Sequence, residues 1–214
     1  KLAWRNVWRN KRRTITTVSA MSLALCVMIV YSGLIQGYLA GMERNILDLE
    51  IGDVQIFAGG YLDNPSIYTS IENPDEILKA LDGAGFKSSV RLIANGLAAA
   101  GDSSAGVELR GIDVKRDARV SGIHQQLMSG EWVQDADPKG VVLGKQLARN
   151  LGAEPGREIV ILTQGADGST ANELYTVRGV LKGISDATDR AAVFMTAESF
   201  RELMVLPEGA HQII

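Results

Sequence analysis

The side chains able to do chemistry are few and poorly spaced for it. His124 and His211 lie 87 residues apart, and Cys26 is the only thiol. A histidine base or a zinc site needs partners at short, regular spacing, and neither His-Glu-x-x-His nor paired Cys-x-x-Cys occurs. One cysteine cannot close an internal disulfide. Asp186 and Asp189, beside Arg190, have the residue types of an acid and base pair, but in a Gly- and Ser-containing loop they are expected as turn formers and solvated charges. Gly140-Val141-Val142-Leu143-Gly144-Lys145-Gln146 has the outline of a phosphate-binding loop. Such a loop needs four residues between its glycines and a Ser or Thr after the Lys, whereas here there are three residues and Gln146. A strand-turn-helix junction is the better expectation. With no Gly-x-Ser-x-Gly elbow either, the sequence nominates no catalytic residue, no metal ligand and no cofactor.

What the sequence does segregate is charge. Of 22 basic residues, six (Lys1, Arg5, Arg9, Lys11, Arg12, Arg13) fall in the first thirteen positions, which hold no acid; 16 basic against 25 acidic residues remain. Residues 14–42 follow without a charge, 29 in a row. As a helix they span about 43 Å, more than the roughly 30 Å hydrocarbon core of a bilayer. We therefore expect a transmembrane helix at 14–42. A cleaved signal peptide has a shorter apolar region and a better exit than Leu39-Ala40-Gly41. A lipoprotein signal ending at Cys26 would want a small residue where Leu25 stands. A buried core helix leaves the six flanking cations unexplained.

The cations fix the expected orientation, because Lys and Arg beside a membrane segment are retained on the cytoplasmic side. Residues beyond the span should be periplasmic, and the span should sit in a bacterial inner membrane. Trp4, Val7 and Trp8 recur at helical spacing with Arg5, Arg9, Arg12 and Arg13 on other faces, so residues 1–13 are expected as an interfacial amphipathic helix. A basic arm binding nucleic acid has the same residue types but does not fit beside a span. Gly33, Gly37 and Gly41 recur every fourth residue, a stripe along which another helix can approach closely; the alternative is tolerance of bending near the exit.

Residues 43–51 are expected to prolong the helix as a stalk, and 52–214 to form one periplasmic domain, incomplete at its end because residues 210–214 read as a strand beginning; with no initiator Met at its start, the segment is expected to be truncated. The 46% apolar and 22% charged composition excludes a disordered chain. Expected strands are 54–58, 90–99, 105–111, 158–162, 175–181 and 192–195; expected helices start at Asn73-Pro74, span 114–120, span 145–151 before Gly152, and run from Thr196 to Val205. This irregular alternation gives α+β.

The opening Leu2-Ala3-Trp4-Arg5-Asn6-Val7-Trp8-Arg9-Asn10-Lys11-Arg12-Arg13-Thr14, leading into a first membrane helix, resembles permease subunits of the MacB/FtsX-like (type VII) ABC transporter family. Gly52-Asp53-Val54-Gln55-Ile56 with Gly60-Tyr61-Leu62 is similar to the lipoprotein-releasing permeases LolC and LolE. The Gly140 to Ala148 segment, Leu151-Gly152 and Val177-Arg178-Gly179-Val180 resemble the MacB-like periplasmic core. The resemblance covers essentially the whole chain. It implies a noncatalytic permease that pairs with a second copy or a paralogue and with a separate cytoplasmic ATPase. ATP-driven motion of the membrane helices would reach the periplasmic domain through the stalk, to release lipoproteins or export another amphiphile. It also implies a periplasmic carrier recruited by a hairpin, at the position of 163–170 here. Gln164, Gly165, Asp167 and Gly168 are small and polar, without the bulky anchors of a binding hook, so an ordinary solvent loop is the competing expectation. A single-anchor regulatory module of the FtsX kind, signalling to cell-wall hydrolases, is the alternative function, and a membrane-anchored enzyme the third.

Overall fold

The computed structural model describes residues 9–214 and divides into two compact units, Lys1–Arg44 and Asn45–Ile214. Helix α1 (Lys11–Ile46) is 36 residues long. It has no internal proline to break it, and its early hydroxyls are satisfied locally: Thr16 and Thr17 each donate to the carbonyl four residues back, Arg12 and Arg13, at 2.9 Å. It is long and apolar enough to cross a membrane, and its most apolar stretch is not buried against protein. A π-helical turn, Leu47–Ile51, continues directly from α1. Gly52, at φ +73°, ends it, donating its amide to Leu47 O at 2.9 Å.

The second unit is α+β. Its strands are β1 (Ile56–Phe57), β2 (Val90–Ala100), β3 (Ser103–Ile112), β4 (Leu127–Gly130), β5 (Gly140–Leu143), β6 (Glu158–Gln164), β7 (Thr170–Leu181), β8 (Ala192–Thr196) and β9 (Gln212–Ile213). Helices α2 (Pro74–Gly83), α3 (Val114–Val120), α4 (Lys145–Leu151), α5 (Asp186–Ala191) and α6 (Ala197–Met204) alternate with them. Pairing runs β2–β3–β8–β5–β7–β6 and returns from β6 to β2, a closed ring of six strands. Within it β3–β8 and β5–β7 are parallel and the other pairs antiparallel. Closure removes the sheet edges that would otherwise invite aggregation. Outside the ring, β9 joins the first residues of β2 and carries β1, while β4 lies along the end of β7.

Because side chains alternate across a strand, the ring has two apolar faces. Leu109, Val193 and Val141 pack with Leu147 and Leu151 of α4 and Phe200 and Leu203 of α6. Their neighbours Phe194 and Val142 face the other way, toward Ile123, Val133 and Trp132. Close approach of α6 needs Gly111 on β3, where a Cβ would stand 2.6 Å from that of Phe200. The helix ends follow their sequence signals: Asp113 accepts from Lys115 N and Arg116 N, Thr196 accepts from Ser199 N, and Gly152 closes α4 at φ +59°. Asn73 stands at the start of α2 but makes no side-chain cap.

Three local expectations are corrected. The strand placed at 54–58 shrinks to Ile56–Phe57, because only these two residues find a partner in β9. Strand β4 was not expected; its burial is slight and its pattern weak. Residues 186–191, read as a loop, form α5, capped by the Ser185 hydroxyl, which accepts from Thr188 N at 3.3 Å. Asp186 serves there as the acidic partner of Arg190 one turn on, at 2.8 Å.

Candidate functional site

The polar centre of the second unit is built around Glu50, in the turn that follows α1. Apolar Leu49 and Ile51 flank it, so folding the turn onto the sheet takes its carboxylate along, leaving it 13% exposed. Burying a carboxylate is costly unless it is paired and hydrogen-bonded, and three elements supply the partners. Arg110 on β3 donates Nη1 to Glu50 Oε1 at 3.0 Å. Thr188 on α5, fully buried, donates its hydroxyl to the same oxygen and accepts from Arg110 Nη1 at 3.2 Å. Arg91 on β2 donates Nη1 to the Glu50 backbone carbonyl. Burial pushes the Glu50 pKa up, but the Thr188 hydrogen bond, the Arg110 charge and the Ser185 hydroxyl together outweigh it, and the carboxyl titrates below its ordinary value of 4.5.

Arg91 extends the network deeper. Its Nε donates to Asp117 Oδ1 at 2.9 Å, an ion pair whose members are 3% and 2% exposed. Ser121 donates to the other Asp117 oxygen at 3.0 Å. Glu50 is thus tied by its main chain to β2 and by its side chain to β3 and α5, and through Arg91 indirectly to α3. What such a cluster can do is hold the Leu47–Ile51 turn onto the sheet. Asp117, Arg91 and Arg110 escaped the sequence reading, although a signal existed. Arg91 interrupts Val90-Leu92-Ile93 and Arg110 interrupts Leu109-Gly111-Ile112, and a charge inside an apolar strand must find a buried partner.

The residues the sequence nominated lie elsewhere. Trp4, Arg5 and Trp8 fall outside the described residues. Arg9, Arg12 and Arg13 are exposed at the start of unit one. Gly33, Gly37 and Gly41 have open space where a Cβ would stand. Gln164 ends β6, and Gly165, Asp167 and Gly168 lie in the β6–β7 turn, held by Asp167, which accepts from Ser169 N at 3.0 Å and Oγ at 2.6 Å, and docked where Ala166 N donates to Met204 O at 2.7 Å. Gly140 to Gln146 is the strand-turn-helix junction expected. His124 is partly buried beside Ser121 O. His211 is fully buried, its Nδ1 accepting from Ile93 N at 2.9 Å and its Nε2 lying 3.1 Å from Ile67 O. Burial lowers its pKa, and the ring serves as a neutral tie between β9 and β2. Among the described residues, no three His, Cys, Asp or Glu side chains come together as metal ligands would.

Comparison with known proteins agrees with this architecture. The profile of the MacB-like periplasmic core domain matches residues 14–214. No curated protein sequence matches the chain significantly. Among solved structures, the periplasmic region of MacB from Actinobacillus actinomycetemcomitans superposes with a TM-score of 0.53 at 14% identity, covering 81% of this chain and 78% of that one. The extracellular domain of the noncanonic ABC-type transporter YknZ from Gram-positive bacteria gives 0.51 at 13%, covering 74% and 79%. Carrying an apolar N-terminal helix, that fold and the profile over nearly its whole length, the chain belongs to the MacB-like periplasmic core domain family of MacB/FtsX-like ABC transporter permeases.

Proposed function

We propose that this chain is the noncatalytic membrane subunit of an ABC complex and that it passes motion generated by a separate cytoplasmic ATPase to its periplasmic domain. On this reading α1 crosses the inner membrane at 14–42 with its basic end in the cytoplasm. Residues 1–13 rest at the membrane surface, and the Gly33, Gly37 and Gly41 stripe packs against helices of the same complex, including a second permease copy or paralogue. The cargo is a lipoprotein or another amphiphile, handed on without crossing the bilayer core. A periplasmic carrier docking on the 163–170 turn belongs to the same proposal.

The observation that carries the reading is the locking of Glu50. A relay needs a stiff attachment where the moving helix ends. Displacing Glu50 loads β2, β3, α3 and α5 at once, because its carbonyl is held by Arg91 and its carboxylate by Arg110 and Thr188. An anchor that merely tethered a binding module would function as well on a flexible linker. The test is the purified complex in lipid with its ATPase, carrying Glu50→Gln together with Arg110→Met. Charge-assisted hydrogen bonds contribute about 1.5–3 kcal/mol, so transport should fall roughly tenfold or more while ATP hydrolysis changes by less than about twofold. Transport unaffected by the double substitution would sink the relay.

A further inference from the structure

His211, between α6 and β9, lies outside the Glu50 network and is fully buried, so its ring meets protein on every side. Ile93 N of β2 donates to Nδ1 at 2.9 Å. Nδ1 therefore carries no proton, and the proton of the neutral ring is on Nε2, which lies 3.1 Å from the Ile67 carbonyl. Residues 58–73 join β1 to α2 by turns, with Ile71 bridged to Ala210. Having little ladder of its own, this segment depends on side-chain ties. Tyr61, 6% exposed, stacks on Phe57 at 5.6 Å and sets its ring 5.8 Å from that of His211. Phe200 of α6 meets the His211 ring edge-on at 6.3 Å. One imidazole thus joins the segment to β2 and α6.

The surroundings suit a neutral ring. Among the described residues no carboxylate hydrogen-bonds or ion-pairs with it, and Arg201 of α6 bears on it with a positive charge. Arg201 in turn faces Asp75 of α2 and Glu208 of the loop before His211. Glu108 of β3 acts on Tyr61 and is paired with Arg110 at 2.6 Å. Arg91 of β2 gives its side chain to Asp117, while its carbonyl accepts from His211 N at 3.2 Å. A second proton would have to go to Nδ1, turning the acceptor of Ile93 N into a donor and leaving an uncompensated charge in the interior; both are costly. Burial accordingly holds the His211 pKa below its ordinary 6.5. We propose that His211 is an acid-released latch: a proton taken up at Nδ1 drives the ring from its site and frees residues 58–71 from β2 and α6. Leu62 and Tyr68 of this segment are already 72% and 68% exposed, and release adds the Tyr61 ring to that apolar surface. The latch lies wholly within the α+β unit and does not depend on the relay proposed above.

Because the closed-state pKa is the lower one, closure is fully favoured above 6.5 and loses ground as pH falls toward the closed-state value. The test is hydrogen exchange of the full chain in lipid from about pH 7.5 to about pH 5, a range centred on histidine titration and above that of Glu50. Rates are divided by those of unstructured peptides, so that protection alone is compared. In the wild type, protection of residues 58–71 and of Ile93 should fall by about tenfold for each pH unit below 6.5, while that of the β6–β7 hairpin stays constant. His124 is the other histidine of the chain, so His124→Gln should keep this slope. His211→Gln should remove it, with protection of 58–71 already weaker at neutral pH. Since that variant also disturbs packing, the ring is read directly as well: in wild type with isotope-labelled histidine, the His211 Cε1–H resonance should move only in step with the loss of protection. Wild-type protection that is constant across the range overturns the latch. So does a slope that survives His211→Gln or disappears with His124→Gln, and so does a His211 ring that takes its proton while 58–71 stay protected.

Discussion

In α1, Met28 and Leu34 are 70% and 69% exposed, while in the α+β unit Leu92, Leu109 and Phe194 are fully buried. Both segments are apolar, yet only one supplies its own cover. The ring covers its apolar residues because alternation places them on two faces that α4, α6 and the Trp132 segment can close. A lone helix with apolar residues all round has no uncovered side to turn inward. The polar groups divide the same way. The Thr16 and Thr17 hydroxyls of α1 are satisfied within about one turn, whereas Glu50, Arg91, Arg110 and Asp117 come from segments far apart in sequence and meet one another only on folding. One region carries its structure in local rules, and the other depends on long-range contacts.

That contrast can be broken at its most buried point first. Replacing Asp117 with Ala leaves Arg91 charged and unpaired, which should cost about 3–5 kcal/mol and lower the melting temperature of the full chain in lipid by roughly 6–20 °C. The helicity of α1 should survive, measured as hydrogen-exchange protection of its amides. Gly111→Val comes next: the added carbons meet Phe200, and overpacking of this kind costs about 1–3 kcal/mol, read as faster exchange in β3 and α6.

Glu50→Gln sharpens the comparison through pH. The folded-state pKa of Glu50 is depressed, so its contribution is fully present above the ordinary value of 4.5 and is lost as pH falls through the lower folded-state value. Protection of the amides at 50–52 in the wild type should drop in that acid window, while the Gln variant should be weaker at neutral pH by about 1.5–3 kcal/mol and flat across the window. A wild type that behaves identically on both sides of it would mean the carboxylate is not held as described. The smallest effect on the domain should come from Gly37→Ile. Open space surrounds Gly37, so melting of the α+β unit should shift by less than about 0.5 kcal/mol. Disulfide cross-linking between α1 and neighbouring helices of the complex should nonetheless fall, because a branched side chain blocks close approach.

Much of the fold was legible in the sequence. Asn73-Pro74 announced α2, Gly152 the end of α4 and Thr196 the start of α6, all signals acting within one turn of chain. The apolar helix was legible for the same reason, since 29 uncharged residues need no partner to be recognised. The α5 helix was not, because its six residues are polar and its formation rests on Ser185 and on the buried Thr188.

Sequence alone therefore determined the apolar helix, its basic foot, the α+β class and the family resemblance, because each is written in composition or in neighbouring residues. Only the tertiary structure decided that six strands close into a ring and that Glu50 is bound from three elements. Those outcomes depend on pairings between residues tens of positions apart, such as Glu50 with Arg110 and Thr188, and no local preference of the chain encodes which distant charge a buried carboxylate will meet.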